Sequence, residues 1–189
     1  MSSTELRVGL LTGTFDPVHL GHIALARAAQ TACKLDEVWF LVNPYPGHKK
    51  DVTALTDRLA MVQLALEVEP DLKLGETVPH TMGDFEALTG RMSGTEFIFI
   101  VGSDVLESIS TWEEQAKEVV IHQARFAAVS RLGQRPLHLV KGLRVEWFEM
   151  SGYRDISSGR VRAQLERAEV PPGLSPQVYK YICDHGLYT

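Results

Sequence analysis

Short apolar runs alternate with amphipathic stretches along this chain. Residues 6–11, 38–42 and 97–101 are apolar nearly throughout, as strands buried on both faces are. Residues 72–74, 125–130 and 143–148 give three further strand candidates. Between them, apolar positions recur at helical spacing. The alanine-rich stretch 23–32 and residues 57–66, with Leu59, Met61, Val62, Leu64, Ala65 and Leu66, predict helices. So do 85–88, 112–117 and 161–165, the last in a helix that stops before Pro171-Pro172. A closing helix spans 177–184, with Ser175 as its N-cap and Gly186 at its end. Strands alternating with helices predict an α/β fold with a mostly parallel sheet covered on both faces. Irregular stretches fall at 43–55, 76–84, 131–142 and 149–156, and several of them would lie beyond the carboxyl ends of the strands, where such sheets bind ligands. No repeat or linker divides the chain, and its 189 residues suit a single domain over 1–189.

The densest chemistry follows the first strand, in Gly13-Thr14-Phe15-Asp16-Pro17-Val18-His19-Leu20-Gly21-His22. Gly13 leaves room for a phosphate to approach the backbone, and Thr14 offers a hydroxyl and an N–H. Pro17 fixes a turn. His19 and His22, three apart at a helix start, can share one face beside the positive end of the helix dipole. Together these groups suit a polyphosphate. No cysteine cluster and no His-Glu-x-x-His pattern accompanies the pair, so no protein metal site is expected. No serine or cysteine nucleophile stands near Asp16, and Gly-x-Gly-x-x-Gly is absent, which counts against a dehydrogenase. A second phosphate contact is offered by Ile156-Ser157-Ser158-Gly159-Arg160-Val161-Arg162, two hydroxyls at a helix start followed by arginines.

Composition narrows the partners. A net charge of −5 excludes the basic footprint of a nucleic-acid binder but not nucleotide binding. Cys33 and Cys183 alone make no disulfide framework and read as reduced core thiols. The first residues show no basic leader followed by an apolar run, and no window approaches about 18 uninterrupted apolar residues. A cytoplasmic protein, away from membranes, is expected, and a homo-oligomer is compatible with the sequence.

The stretch Gly13–His22 resembles the signature of the nucleotidyltransferase superfamily carrying a histidine-x-glycine-histidine motif. That resemblance implies a Rossmann-like, doubly wound fold. It also implies an ATP site formed by Gly13, Thr14, Phe15, Asp16, His19 and His22, the two histidines stabilising the transferring phosphate. The stretch from Ile156 resembles the family's isoleucine-serine-serine-threonine-x-isoleucine-arginine segment. It assigns Ser157, Ser158 and Arg162 to ATP, with Arg162 joining His19 and His22 in catalysis, and Gly159 stands where the family has threonine. Beyond these motifs, Val101-Gly102-Ser103-Asp104, Ser110-Thr111-Trp112 and the ending Tyr181-Ile182-Cys183-Asp184-His185-Gly186-Leu187-Tyr188 are similar to the bacterial nicotinate-nucleotide adenylyltransferases. By that resemblance Gly102, Asp104, Trp112 and Thr81 contact the mononucleotide. Lys49, in the loop after the second strand, is a candidate counter-ion for its phosphate. Asp84 replaces a family threonine. The implied reaction joins ATP, carried with Mg²⁺, to nicotinate mononucleotide, giving deamido-NAD and pyrophosphate. The same chemistry on nicotinamide mononucleotide or another phosphate ester, and a nucleotide-binding sensor without turnover, are the alternatives.

Overall fold

The computed structural model describes residues 6–46, 51–76, 87–88, 90–129, 139–153 and 155–189. Six strands, β1 (Leu6–Gly13), β2 (Glu37–Val42), β3 (Leu72–Leu74), β4 (Thr95–Gly102), β5 (Arg125–Val129) and β6 (Arg144–Phe148), form one sheet in the order β3-β2-β1-β4-β5-β6. Every pairing is parallel. The chain winds outward from β1 to β3 on one side and from β4 to β6 on the other. The order therefore reverses between β1 and β4, the switch point at which doubly wound sheets bind ligands.

Both faces are covered, which is why the inner strands are apolar runs. Alternate residues of one strand enter opposite cores. Leu11, Phe40, Ile98, Ala127 and Phe148 face one side and meet α1 (Leu20–Ala32), α2 (Leu55–Leu66), α5 (Ser158–Leu165) and α6 (Pro176–Asp184). On the other side Phe126 and Ala128 pack with Leu106 of α3 (Ser103–Ser108), Ile109 of the 3-10 turn Ile109–Thr111 and Val120 of α4 (Glu114–Gln123). Val8, Leu10, Leu41 and Phe97 continue that second face toward β2. At the amino ends of the strands Arg7 bridges β1 to Glu96 at 2.7 Å and to Glu146 at 2.8 Å, and Arg125 reaches Glu96 at 2.7 Å. The functional end is the opposite one. Among the described residues no helix is long and apolar enough to cross a membrane.

Several boundaries differ from the sequence expectation. The helix placed at 112–117 runs over Glu114–Gln123 instead: Glu113, extended at φ −62° and ψ 147°, is its N-cap and leaves Trp112 outside. The short α3 has no counterpart in the sequence pattern; its only buried residue, Leu106, gives no periodicity to read. Ala87 and Leu88 are helical, while the first two residues of the 85–88 helix lie outside the described residues, as does Ser130 at the end of the fifth strand. Ser175 caps α6 as expected, accepting the Val178 N–H at 3.4 Å. Of the two expected core thiols, Cys33 is buried but Cys183 is exposed, because it lies off the Val178–Ile182 stripe that α6 turns inward.

Candidate active site

β1 pairs with β2 up to Gly13–Val42, but its ladder with β4 ends at Leu10–Phe99. The two central strands part at their carboxyl ends, and the loop after β1 occupies the opening. Phe15 turns it, with φ 49° in the left-handed region, and the Asp16-Pro17 peptide is cis. The space expected above Gly13 for a phosphate is filled by the Phe15 ring, whose nearest atom lies 2.9 Å from where a Cβ would stand. Phe15 is 2% exposed and meets His22 edge-on, with ring centroids 4.9 Å apart. Gly13 thus admits the side chain that backs His22.

His19 is the N-cap of α1, and its N–H donates to His22 Nδ1 at 3.2 Å. With Nδ1 accepting, the neutral His22 ring carries its proton on Nε2. The two imidazoles stack with centroids 3.6 Å apart. Burial lowers the His19 pKa to about 4. The sequence suggests that the helix dipole adds to charge on both rings. His19 is instead uncharged near neutral pH, so what it offers the site is a directed dipole rather than a charge. Its Nδ1 is buried with no hydrogen-bond partner among the described residues.

Gly21 makes that stacking sterically feasible. A Cβ there would lie 2.9 Å from His19 Nδ1 and 3.1 Å from the Tyr153 carbonyl oxygen. Gly21→Ala is therefore expected to push the imidazole out of register and, on the sequence expectation that the pair serves ATP, to lower kcat/KM for ATP by about tenfold or more, since small misplacements are costly in catalysis. Steady-state kinetics at varied ATP checks this; wild-type values would show that the ring yields freely.

The buried ring also ties stability to pH. The unfolded chain protonates His19 near its ordinary value of 6.5, whereas the fold resists until about 4. In that window the unfolded state binds more protons, so stability rises with pH: it is full above about 6.5 and falls as pH drops toward 4. The slope for this one group is about 1.4 kcal/mol per pH unit. His19→Asn should lose less stability than wild type between pH 7 and pH 4.5 in urea titrations; an equal loss would place the acid sensitivity elsewhere.

The second motif meets the first directly. Ser157 is the N-cap of α5, accepting the Arg160 N–H at 3.3 Å, and the Ser158 hydroxyl donates to the Pro17 carbonyl at 2.9 Å. Arg162 Nη1 donates to the Asp16 carbonyl at 2.7 Å. A Cβ at Gly159 would meet nothing within 4 Å, so the absent threonine leaves open space. Asp16, His19, His22, Ser157, Ser158 and Arg162 thus line one cleft of about 780 Å³, a size suited to a nucleotide. Its apolar side is made by Leu25, Val129, Met150 and Ile156. The Asp16 carboxylate is 5% exposed, accepting from the Tyr188 hydroxyl at 2.6 Å and the Thr53 N–H at 3.4 Å.

Gly102 ends β4, Asp104 is exposed in the first turn of α3, and Trp112 is 39% exposed. The three lie beyond β4, on the far side of the strand switch from β2, and outside the cleft just described. Trp112 is therefore not a core residue. Lys49, Thr81 and Asp84 lie outside the described residues. Among the described residues no three His, Cys, Asp or Glu side chains cluster to hold a metal.

One residue escapes a reading of the sequence. Arg58, 2% exposed, donates from Nη1 to the carbonyls of Thr14 at 2.9 Å and Asn43 at 2.8 Å, and from Nε to that of Thr53 at 2.9 Å. Burial pulls its pKa below the ordinary arginine value, opposed by the nearby Asp16. One guanidinium thereby fixes the loops after β1 and β2. The available signal is a charge on the buried stripe of a helix, with Met61, Val62, Ala65 and Leu66 following at helical spacing.

A loop with paired histidines and a serine-capped helix, meeting at the strand switch, is the architecture of a nucleotidyltransferase. A family model described as Cytidylyltransferase-like matches residues 10–164. A "Probable nicotinate-nucleotide adenylyltransferase" of Oceanobacillus iheyensis is 33% identical, covering 96% of each chain. One of the same name from Bacillus cytotoxicus is 34% identical over 96% of this chain and 98% of its own. In fold, the chain is similar to Plasmodium falciparum nicotinic acid mononucleotide adenylyltransferase complexed with NaAD, with a TM-score of 0.77 at 19% identity over 97% of both. The chain belongs to the nicotinate-nucleotide adenylyltransferase family within the cytidylyltransferase-like proteins.

Proposed function

We propose that this protein transfers AMP from ATP to nicotinate mononucleotide, yielding deamido-NAD and pyrophosphate in NAD biosynthesis. The stacked His19 and His22 rings at the strand switch carry this reading, together with full-length relatives named for that activity. ATP enters as its Mg²⁺ complex. Phosphate and water would hold most of the metal's coordination, and it would offset charge on the phosphates. The apolar side of the cleft, formed by Leu25, Met150 and Ile156, would take the adenine ring. The α5 amino end, with Ser157, Ser158 and Arg162, holds the outer phosphates through N–H groups and charge. Gly13, Thr14, Phe15 and Asp16 shape the loop beneath them. Gly102, Asp104 and Trp112 bind the mononucleotide across the opening, with Lys49 and Thr81 completing its site.

The acceptor phosphate oxygen attacks the α-phosphorus in line while the bond to the bridging α–β oxygen breaks, and pyrophosphate leaves with that electron pair. No covalent enzyme intermediate is needed. Catalysis is positioning plus stabilisation of charge on the phosphate oxygens, supplied by His22 and the neutral His19. We place the reaction in the cytoplasm, where ATP is abundant and Cys33 and Cys183 stay reduced.

The test is incubation with MgATP and, separately, nicotinate mononucleotide, nicotinamide mononucleotide and 4′-phosphopantetheine, reading pyrophosphate and adenylylated product. Turnover with the nicotinate substrate well above the others is expected. Preference for another acceptor would keep the chemistry and overturn the substrate. ATP binding without product from any acceptor would leave a nucleotide-binding sensor.

A further inference from the structure

The residue that orders Asp16 comes from the other end of the chain. Gly186, at φ 58°, reverses the backbone after α6; its N–H reaches the Cys183 carbonyl at 3.3 Å and the Leu187 N–H reaches that of Ile182 at 3.0 Å. The reversal sets Tyr188, itself at φ 61°, against the phosphate-loop side of the sheet. Its hydroxyl donates to Asp16 Oδ1 at 2.6 Å, across a separation of 172 residues. Asp16 stands three residues before His19, and its carbonyl receives Arg162. One residue thus takes the Tyr188 hydroxyl on its side chain and Arg162 on its backbone. Tyr188 is not among the residues lining the cleft.

We propose that Tyr188 is a positioning residue of the adenylyl-transfer site, holding the Asp16 carboxylate so that the loop presents His19, His22 and Arg162 in register. Burial and the acceptor carboxylate both raise the Tyr188 pKa, so its hydroxyl remains a proton donor at every working pH. Hydrogen bonds to a charged acceptor are among the stronger ones. Losing this one loosens the hold on the carboxylate, whose contact with the Thr53 N–H is longer, at 3.4 Å. A second tail contact supplies the control. Tyr181 donates to Asp57 Oδ1 at 2.9 Å, tying α6 to α2 without touching the phosphate loop.

The inference rests on the adenylyltransferase reading, so the experiment scores the two separately. Wild type, Tyr188→Phe, Tyr181→Phe, Asp16→Ala and the Tyr188→Phe/Asp16→Ala pair are compared for kcat, for KM of ATP, for ATP affinity by calorimetry and for Tm. Tyr188→Phe is expected to lower kcat/KM for ATP about tenfold while Tyr181→Phe, with a similar Tm change, keeps wild-type kinetics. In the Asp16→Ala background Tyr188→Phe should add little, because its acceptor is gone. Equal kinetic losses in both tyrosine variants, fully multiplicative effects with Asp16→Ala, or a Tyr188→Phe chain that no longer folds would each overturn the proposal, making the hydroxyl a stability element only. If wild type shows no turnover, the functional reading fails on its own. ATP affinity then decides the inference: several-fold weaker binding by Tyr188→Phe alone supports it, and unchanged binding overturns it.

Discussion

His22→Ala is expected to lower kcat by about 10²–10³ with little change in KM for ATP. The His22 Nδ1 is held by the His19 N–H, which places the ring proton on Nε2, and Phe15 backs the ring edge-on. A donor fixed in this way stabilises charge that grows during transfer, so its loss appears in kcat rather than in ground-state binding. The substitution also removes the acceptor for a helix-capping N–H. His22→Gln separates the two effects, since glutamine at the third helical position can restore that cap. Tm should recover in His22→Gln while kcat stays low. A raised KM with unchanged kcat would assign His22 to uniform ATP binding instead.

The largest effect on stability is expected at Arg58. Arg58→Met keeps much of the side-chain volume but leaves the carbonyls of Thr14, Asn43 and Thr53 without their donor. Buried polar groups left unpaired cost about 1–3 kcal/mol each, and part of that is relieved by relaxation and entering water. A net loss of about 3–5 kcal/mol follows by analogy with broken buried polar networks. For a domain of this size that corresponds to a fall in Tm on the order of 10 °C. Arg58→Lys should recover only a fraction, because an ammonium lacks the planar fork that spans two loops. Thermal and urea unfolding followed by circular dichroism measure both. A loss under about 1 kcal/mol would mean that water replaces the guanidinium without strain.

The contrast between His22 and Arg58 marks the reach of sequence patterns. The six strands are legible because a sheet covered on both faces makes its inner strands apolar throughout, and the short strand 72–74 matches to the residue. The histidine loop is legible because its residues are contiguous, so that spacing along the chain becomes spacing at the site. Ser157 and Ser158 are legible as a helix start. The contact of Ser158 with Pro17, across 141 residues, is not. Arg58 looks like an ordinary helical arginine, since its three partners are backbone carbonyls that carry no side-chain signature. Trp112 is drawn toward a helix by the residues after it, although the chain caps at Glu113. The charge on His19 is illegible for a related reason: sequence gives the ordinary pKa, while burial is a property of the packed loop.

The order of the sheet has a consequence for how copies of this chain can meet. Among the described residues the sheet ends in β3 on one side and β6 on the other. An exposed edge is a template on which a neighbouring molecule can extend the ladder. Here one edge is three residues long with Lys73, paired to Glu37, at its centre. The other carries Arg144, which donates to the His122 carbonyl at 2.6 Å, and Glu146, which is tied to Arg7. Shortness guards one border and charge the other, so among the described residues neither edge is a long, bare template for extending the sheet into a neighbouring copy.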